Sequence, residues 1–237
     1  MTLTLDRQNT YRARYRALHP NWRPATEVYE SLIRQRLRPG ARLLDLGCGR
    51  GGVLEQLADA VTQPIGLDPD LSSLRQHRLP DLWRAVALAD ALPLGDGCID
   101  LLVCSWVFEH LADPARTLAE VRRVLRPGGC LIFLTPNAHS LVVRLNRLMR
   151  PLQRALVPRL YGRTEADTFP VLYRINTPPR IAALASGAGL NCDLLRLIED
   201  PSYLAFNPLL FRLSMSLARF TPPVHIVGVL GRPVDQT

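Results

Sequence analysis

Four carboxylates and a run of glycines stand where they could hold a cofactor. Asp45 comes two residues before Gly47-Cys48-Gly49-Arg50-Gly51-Gly52, and Asp68 lies 21 residues after Gly47. Asp90-Ala91, Ser105 and Glu109-His110 follow. Gly47-x-Gly49-x-x-Gly52 has the spacing of a dinucleotide-binding turn, in which glycine lets a phosphate approach the backbone. Asp45 argues against a phosphate there. A carboxylate repels a pyrophosphate and attracts an ammonium, and a unit pair at about 4 Å is worth about 1 kcal/mol in water and about 4 at intermediate dielectric. The sign favours a cofactor with a cationic amino-acid end; the bland alternative is a tight turn with a capping Asp. Asp68 could accept two hydrogen bonds from a ribose diol, which suits either cofactor, or it could cap a helix beginning near Leu71. Asp90 could receive an adenine amino group, or be an ordinary loop acid. An imidazole is the usual general base near neutral pH, which makes His110 the candidate. Glu109 could orient His110 or line the cofactor pocket, and His110 could equally cap the loop before Asp113.

Short apolar runs alternate with helical patterns around these residues. The runs Ala41–Leu46, Pro64–Asp68, Leu82–Leu88, Ile99–Cys104 and Cys130–Leu134 read as strands, nearly all apolar and so buried on both faces. Val53, Leu54, Leu57 and Val61 share a helical face, Leu71–Arg78 reads as a helix, and Asp113-Pro114 caps and opens another. This alternation predicts a parallel sheet covered on both sides, with ligands outside the carboxyl ends of the strands. Asp45, Asp68, Asp90 and Ser105 all fall there. The tail predicts a helix over Thr177–Ala188, a strand over Asn191–Ile198, a helix over Tyr203–Phe220 and a last strand over His225–Leu230.

The bulk composition narrows the chemistry. The 237 residues are 47% apolar, enough for one sizeable core. The net charge is +8 with no lysine, which removes Schiff-base and lysine-base mechanisms. The five cysteines are scattered without C-x-x-C spacing, and no histidine cluster completes a zinc site, so no metal is expected. They read as reduced residues of a cytoplasmic protein, and the start of the chain lacks the apolar core of a signal peptide. The apolar stretch from Tyr203 to Phe220 is interrupted by Asn207, Pro208, Arg212 and Arg219, which suits a buried or interfacial helix better than a spanning one.

Several motifs occur together and in order: Leu43–Gly51, Ile65–Pro69, Ala89–Leu94, Asp100–Ser105, Phe108-Glu109-His110 and Leu125–Gly129. Over about residues 40–137 the chain resembles the class I S-adenosylmethionine-dependent methyltransferases, in particular the ubiquinone- and menaquinone-methyltransferase-like group. The resemblance implies a doubly wound α/β fold with a mostly parallel seven-stranded sheet and a helical insertion or lid. It implies S-adenosylmethionine as cofactor, held by Asp45, Gly47, Cys48, Gly49, Asp68, Pro69, Asp90, Ala91 and Ser105. Cys104-Ser105-Trp106-Val107 departs from the acid-or-amide, Pro-Pro, aromatic pattern of amino-group methyltransferases, which points to an oxygen or carbon acceptor. Trp106, Glu109, Tyr173 and Arg174 are candidate substrate contacts. Tyr11, Tyr15 and Arg16 could cover the cofactor, because the family often closes its site with N-terminal helices.

The expected organisation is an N-terminal helical cap over 1–38, a cofactor-binding core over 39–137, a basic amphipathic insertion or lid over 138–176, and completion of the sheet with an apolar helix over 177–237. Between Leu141 and Arg163 stand six arginines and no acid, interleaved with Leu, Val and Met. Such a segment suits a membrane surface and an anionic or lipid-linked substrate, or is simply a solvated lid. The expected acceptor is a small molecule, lipid- or glycan-linked, with membrane contact through 141–163 or 203–220 at the inner face. Three other readings stay open: a nicotinamide-dependent oxidoreductase on the same glycine turn, a non-catalytic cofactor-binding module, and an RNA methyltransferase drawing on the positive charge. The last is disfavoured because aromatics make up only 6% of the chain and stacking platforms are scarce.

Overall fold

The computed structural model describes residues 4–57, 60–61, 64–148 and 170–234. Strands β1 (Leu43–Leu46), β2 (Pro64–Asp68), β3 (Trp83–Val86), β4 (Ile99–Ser105), β5 (Leu125–Pro136), β6 (Asn191–Ile198) and β7 (His225–Gly231) form one seven-stranded sheet in the order β3-β2-β1-β4-β5-β7-β6. The first five pair in parallel, and β7 runs antiparallel to both β5 and β6. The strand order reverses between β1 and β4, which opens a crevice outside their carboxyl ends. This is the expected doubly wound α/β architecture.

The helices are α1 (Leu5–Leu18), α2 (Ala25–Arg36), α3 (Val53–Gln56), α4 (Leu71–Arg75), α5 (Pro114–Val124), α6 (Leu141–Leu148), α7 (Pro178–Gly187) and α8 (Pro208–Ala218). Side chains alternate across the sheet, so successive strand residues feed two cores. Leu44, Leu46, Leu102, Cys104 and Phe133 pack with Leu118 and Val121 of α5 and Ile181 and Ala185 of α7. Leu43, Leu101, Val103, Ile132 and Leu134 pack on the other side with Val28, Leu32 and Ile33 of α2. This double burial is why the central strands read as unbroken apolar runs. All seven residues of β7 are buried, and a Cβ at Gly228 would stand 2.5 Å from Phe133 Cζ, so the Phe133 ring occupies the space a side chain would need.

Several elements differ from their sequence reading. Strand β5 begins at Leu125, not Cys130, because Leu125 pairs with Ile99 before a register shift at Arg126–Gly129. Arg126 there holds Asp100 at 2.7 Å. The helix expected over Tyr203–Phe220 is split. A 3-10 turn, Pro201–Leu204, is capped by Asp200, and α8 starts afresh at Pro208 with Asn207 Oδ1 accepting the Leu210 N–H at 2.8 Å. Proline drives the residue before it out of the helical region, so Asn207 is extended (φ −153°, ψ 170°) and serves as the cap. Helix α4 stops at Arg75, three residues short of the expected Arg78. Helix α3 is one turn, yet Leu57 and Val61 still join Val53 and Leu54 in the core. Of the basic amphipathic run only α6 is described; Arg150, Arg154, Arg159, Arg163 and Asp167–Phe169 lie outside the described residues. Among the described residues no helix is long and apolar enough to cross a membrane.

Candidate cofactor and acceptor site

Asp45 and Asp68 end adjacent strands at the open side of the sheet. Between them the glycine turn folds back on β2: the Gly47 N–H donates to the Leu67 carbonyl at 2.7 Å and the Gly49 N–H to Asp68 Oδ2 at 2.9 Å. Asp68 Oδ1 accepts the Asp70 N–H at 2.8 Å. Each oxygen is therefore anchored by one backbone donor and keeps a lone pair, which fixes the carboxylate in the geometry a ribose diol needs. Capping the next helix falls to Asp70, whose carboxylate accepts from Ser72 and Ser73 at 3.0 Å. Gly47 has φ +79°, and a Cβ there would lie 2.4 Å from Val107 Cγ2, so the turn tolerates no side chain.

Asp45 is only 5% exposed and forms no salt bridge among the described residues. Burial first, and the Asp68 charge second, push its carboxyl up to about 7. A buried carboxylate lacking a cation is a site prepared to receive one, and the α-ammonium of a methionine moiety supplies that charge. Cys48 is buried beneath the turn with its thiol pushed up to about 12 by burial, so it packs rather than reacts. Pro69 is exposed beside Asp68. Asp90 sits half-buried in the turn after β3, bracketed by the Leu88–Ala91 bridge, and its carbonyl accepts from Arg116 Nε at 3.0 Å. Ser105 closes β4.

The acceptor side begins at the next residue. Among the described residues only Trp106 (φ +60°) and Tyr173 (φ +52°) are non-glycines with positive φ, and both are candidate substrate contacts. Such strain collects where a fold aims a side chain at a ligand. The Tyr173 N–H donates to the Glu109 carbonyl at 3.1 Å, and the Arg147 guanidinium stands 4.5 Å over the Tyr173 ring. Arg174 donates to the Ala112 carbonyl, which makes it a brace for this loop. His110 Nδ1 lies 3.1 Å from the Pro170 carbonyl. A carbonyl only accepts, so the proton sits on Nδ1 and Nε2 is the basic nitrogen.

Glu109 is buried, and burial pushes its carboxyl up to about 7. Its Oε2 lies 3.1 Å from Thr135 Oγ1, which lies 2.6 Å from the Asn176 amide. With that amide turned so that its nitrogen donates to Phe108 O, its oxygen accepts from Thr135. A protonated Glu109 then donates to Thr135 and completes the chain. Glu109 therefore braces the turn that carries His110.

One group was not legible in the sequence. Because β7 is antiparallel, its first residue, His225, pairs with Pro136 at the carboxyl end of β5. There its ring meets Trp106 edge-on at 5.3 Å, and its Nε2 lies 3.1 Å from the Tyr203 hydroxyl. Burial lowers its pKa to about 4, and Nδ1 has no hydrogen-bond partner among the described residues. A lone histidine opening an apolar run carries no signal until strand direction is known. The N-terminal cap also differs from expectation. Tyr11 stacks on Phe211 at 4.6 Å, Tyr15 donates to Glu199, and Arg16 pairs with Glu27. Tyr11 and Tyr15 clamp α1 to the tail segment, where the aromatic face of α1 finds its apolar partners, while Arg16 ties α1 to Glu27 of α2.

Comparisons with known proteins bear on the family and the fold. The methyltransferase domain family matches residues 44–133. The ubiquinone biosynthesis O-methyltransferase of Bordetella bronchiseptica is 30% identical over 177 residues, covering 72% of this chain and 68% of that protein. A probable S-adenosylmethionine-dependent methyltransferase of Mycolicibacterium smegmatis is 38% identical over 100 residues, 41% of this chain and 39% of its own length. The chain spans well under half the length of some curated relatives that it matches. In fold it is similar to a methyltransferase from Methanosarcina mazei, with a TM-score of 0.62 at 20% identity over 86% of this chain and 98% of that one. Fold and site define an S-adenosylmethionine-binding α/β protein. The chain belongs to the class I S-adenosylmethionine-dependent methyltransferases, and S-adenosylmethionine is its cofactor.

Proposed function

We propose that the protein transfers a methyl group to an oxygen, or a carbon, of a small-molecule acceptor that is lipid- or glycan-linked, working at the cytoplasmic face of the membrane. The observation that carries the cofactor half is the pair of fixed carboxylates: Asp45, buried without a cation, for the ammonium, and Asp68, anchored by two amides, for the ribose. Bound S-adenosylmethionine supplies a methyl group on a positive sulfur, so the leaving group is already activated. The protein's task is then chiefly alignment, which can contribute about 7–11 kcal/mol. Ser105 and Trp106 border the crevice where an acceptor must approach in line. His110 Nε2 takes the proton of a hydroxyl acceptor, and the Pro170 carbonyl holds its ring in the productive tautomer. The oxygen acceptor is supported by the Ser105-Trp106-Val107 segment and by the name of the Bordetella bronchiseptica relative.

Calorimetric titration with S-adenosylmethionine, S-adenosylhomocysteine and NADH tests the cofactor. Micromolar binding of the first two alone is expected, and binding of NADH in their place would overturn the reading. Transfer of labelled methyl into bacterial lipid extracts tests the acceptor. His110→Ala is expected to slow transfer to a hydroxyl by about 10²–10⁴. A loss below about tenfold reduces His110 to a structural residue.

A further inference from the structure

Helix α8 is apolar on two faces. Its inner face carries Phe211, Ser214 and Met215 toward Tyr11 and Tyr15. Leu209, Leu210 and Leu213 lie within about a quarter-turn on the outer face, and Phe220 continues the line just past the helix end. These four are 74%, 36%, 52% and 86% exposed. Exposed Arg212 and Ser216 separate the two faces, and a cluster of exposed apolar side chains marks an interaction surface. Across a shallow cleft lined by Leu141, Val142, Leu204 and Leu217, α6 adds Leu145 and Leu148, 37% and 78% exposed.

Charge selects the occupant. Exposed Arg144 and Arg147 stand on α6, and exposed Arg212 and Arg219 beside the leucines of α8. Neither helix contains an acid. Of the two acids that line the cleft, Asp200 is paired with Arg12 at 2.8 Å and Glu199 accepts from the Tyr15 hydroxyl, so the four arginines outnumber the acids on this face. A second copy docked through the same face would bring together two patches that both carry these arginines, because a two-fold interface uses the same patch on each subunit. A bilayer with anionic headgroups meets leucines and arginines together.

We propose that α8, Phe220 and α6 form a surface that docks on an anionic lipid bilayer. Helix α6 leaves the carboxyl end of β5, and α8 leads into β7 at the same end. The docked protein therefore turns its acceptor crevice toward the lipid. The inference rests on the proposed work at the membrane and deepens it by naming the surface that meets the lipid; it does not depend on which atom is methylated.

The test is co-sedimentation of the full chain with vesicles of phosphatidylcholine alone and of phosphatidylcholine with phosphatidylglycerol in equal parts. Binding to the anionic vesicles, weakened by added salt, is expected. Leu209→Ser/Leu213→Ser/Phe220→Ser should lower that binding about tenfold or more. Leu18→Ser, at an exposed leucine of α1 that belongs to neither α6 nor α8, should leave it unchanged. Single Phe220→Ser serves should the triple variant fold poorly, and S-adenosylmethionine affinity, read by calorimetry, should be unaltered in each. Wild-type protein left in the supernatant with both vesicles overturns the proposal, as does equal binding of wild type and variants. A dimer in gel filtration that these substitutions dissolve would assign the face to a second copy instead.

Discussion

Asp68 combines two tasks that usually fall to different residues. It ties the glycine turn to β2 through the Gly49 amide, and in the proposed reading its remaining lone pairs hold the ribose. Asp68→Ala should therefore weaken S-adenosylmethionine by on the order of 1–3 kcal/mol and also lower the melting temperature, because two amides lose their acceptor. Calorimetry and thermal denaturation read the two effects separately, and unchanged affinity would remove Asp68 from the cofactor site. Asp68 and Asp45 were legible in the sequence because each ends an apolar run beside glycines. Glu109 was ambiguous there. Its proximity to Thr135 and Asn176, and the burial that raises its carboxyl to about 7, arise from chain segments far apart in sequence.

At the scale of elements, α1 is held by few contacts, and they are specific. Arg12 Nε donates to Asp200 at 2.8 Å, and Trp22 Nε1 donates to the Glu199 carbonyl at 3.0 Å. Asp200 is nearly inaccessible, so Arg12→Ala strands a buried charge and should cost about 2–4 kcal/mol. The expected fall in melting temperature is roughly 4–16 °C, and a second change, Asp200→Asn, should restore part of it. Additive losses would mean the two residues do not couple. The helical character of both α1 and the tail was readable from composition and periodicity. Their mutual packing was not, since periodicity identifies an apolar face without naming what covers it. The break at Asn207-Pro208 was readable in principle, because proline and its preceding residue carry a local signal.

For the whole molecule, the cofactor site is a source of instability. Folding raises the Asp45 carboxyl from 3.8 to about 7, chiefly by burial. The native state thus holds a proton that the unfolded chain has released, so this group's favourable contribution is lost as pH rises from about 4 to about 7. Asp45→Asn removes the titration. The melting temperature of the variant should gain on that of the wild type across this interval and level off above it, while its affinity for S-adenosylmethionine falls. A temperature difference that stays flat with pH would show that Asp45 does not titrate in this range. Cofactor should narrow the difference, because its ammonium pairs the buried charge in the wild type alone.

The sequence by itself determined the parallel half of the sheet, the glycine turn and the acids proposed to hold the cofactor. These depend on local rules: apolar runs of strand length, glycines where backbone must turn left-handed, and acids at strand ends. Only the tertiary structure decided where the tail returns. The antiparallel course of β7 brings His225 to Trp106 and Tyr203, and the split before α8 leaves one of its faces on α1 and the other open. Strand direction and helix partnership depend on contacts between distant segments, and no short stretch of residues encodes them.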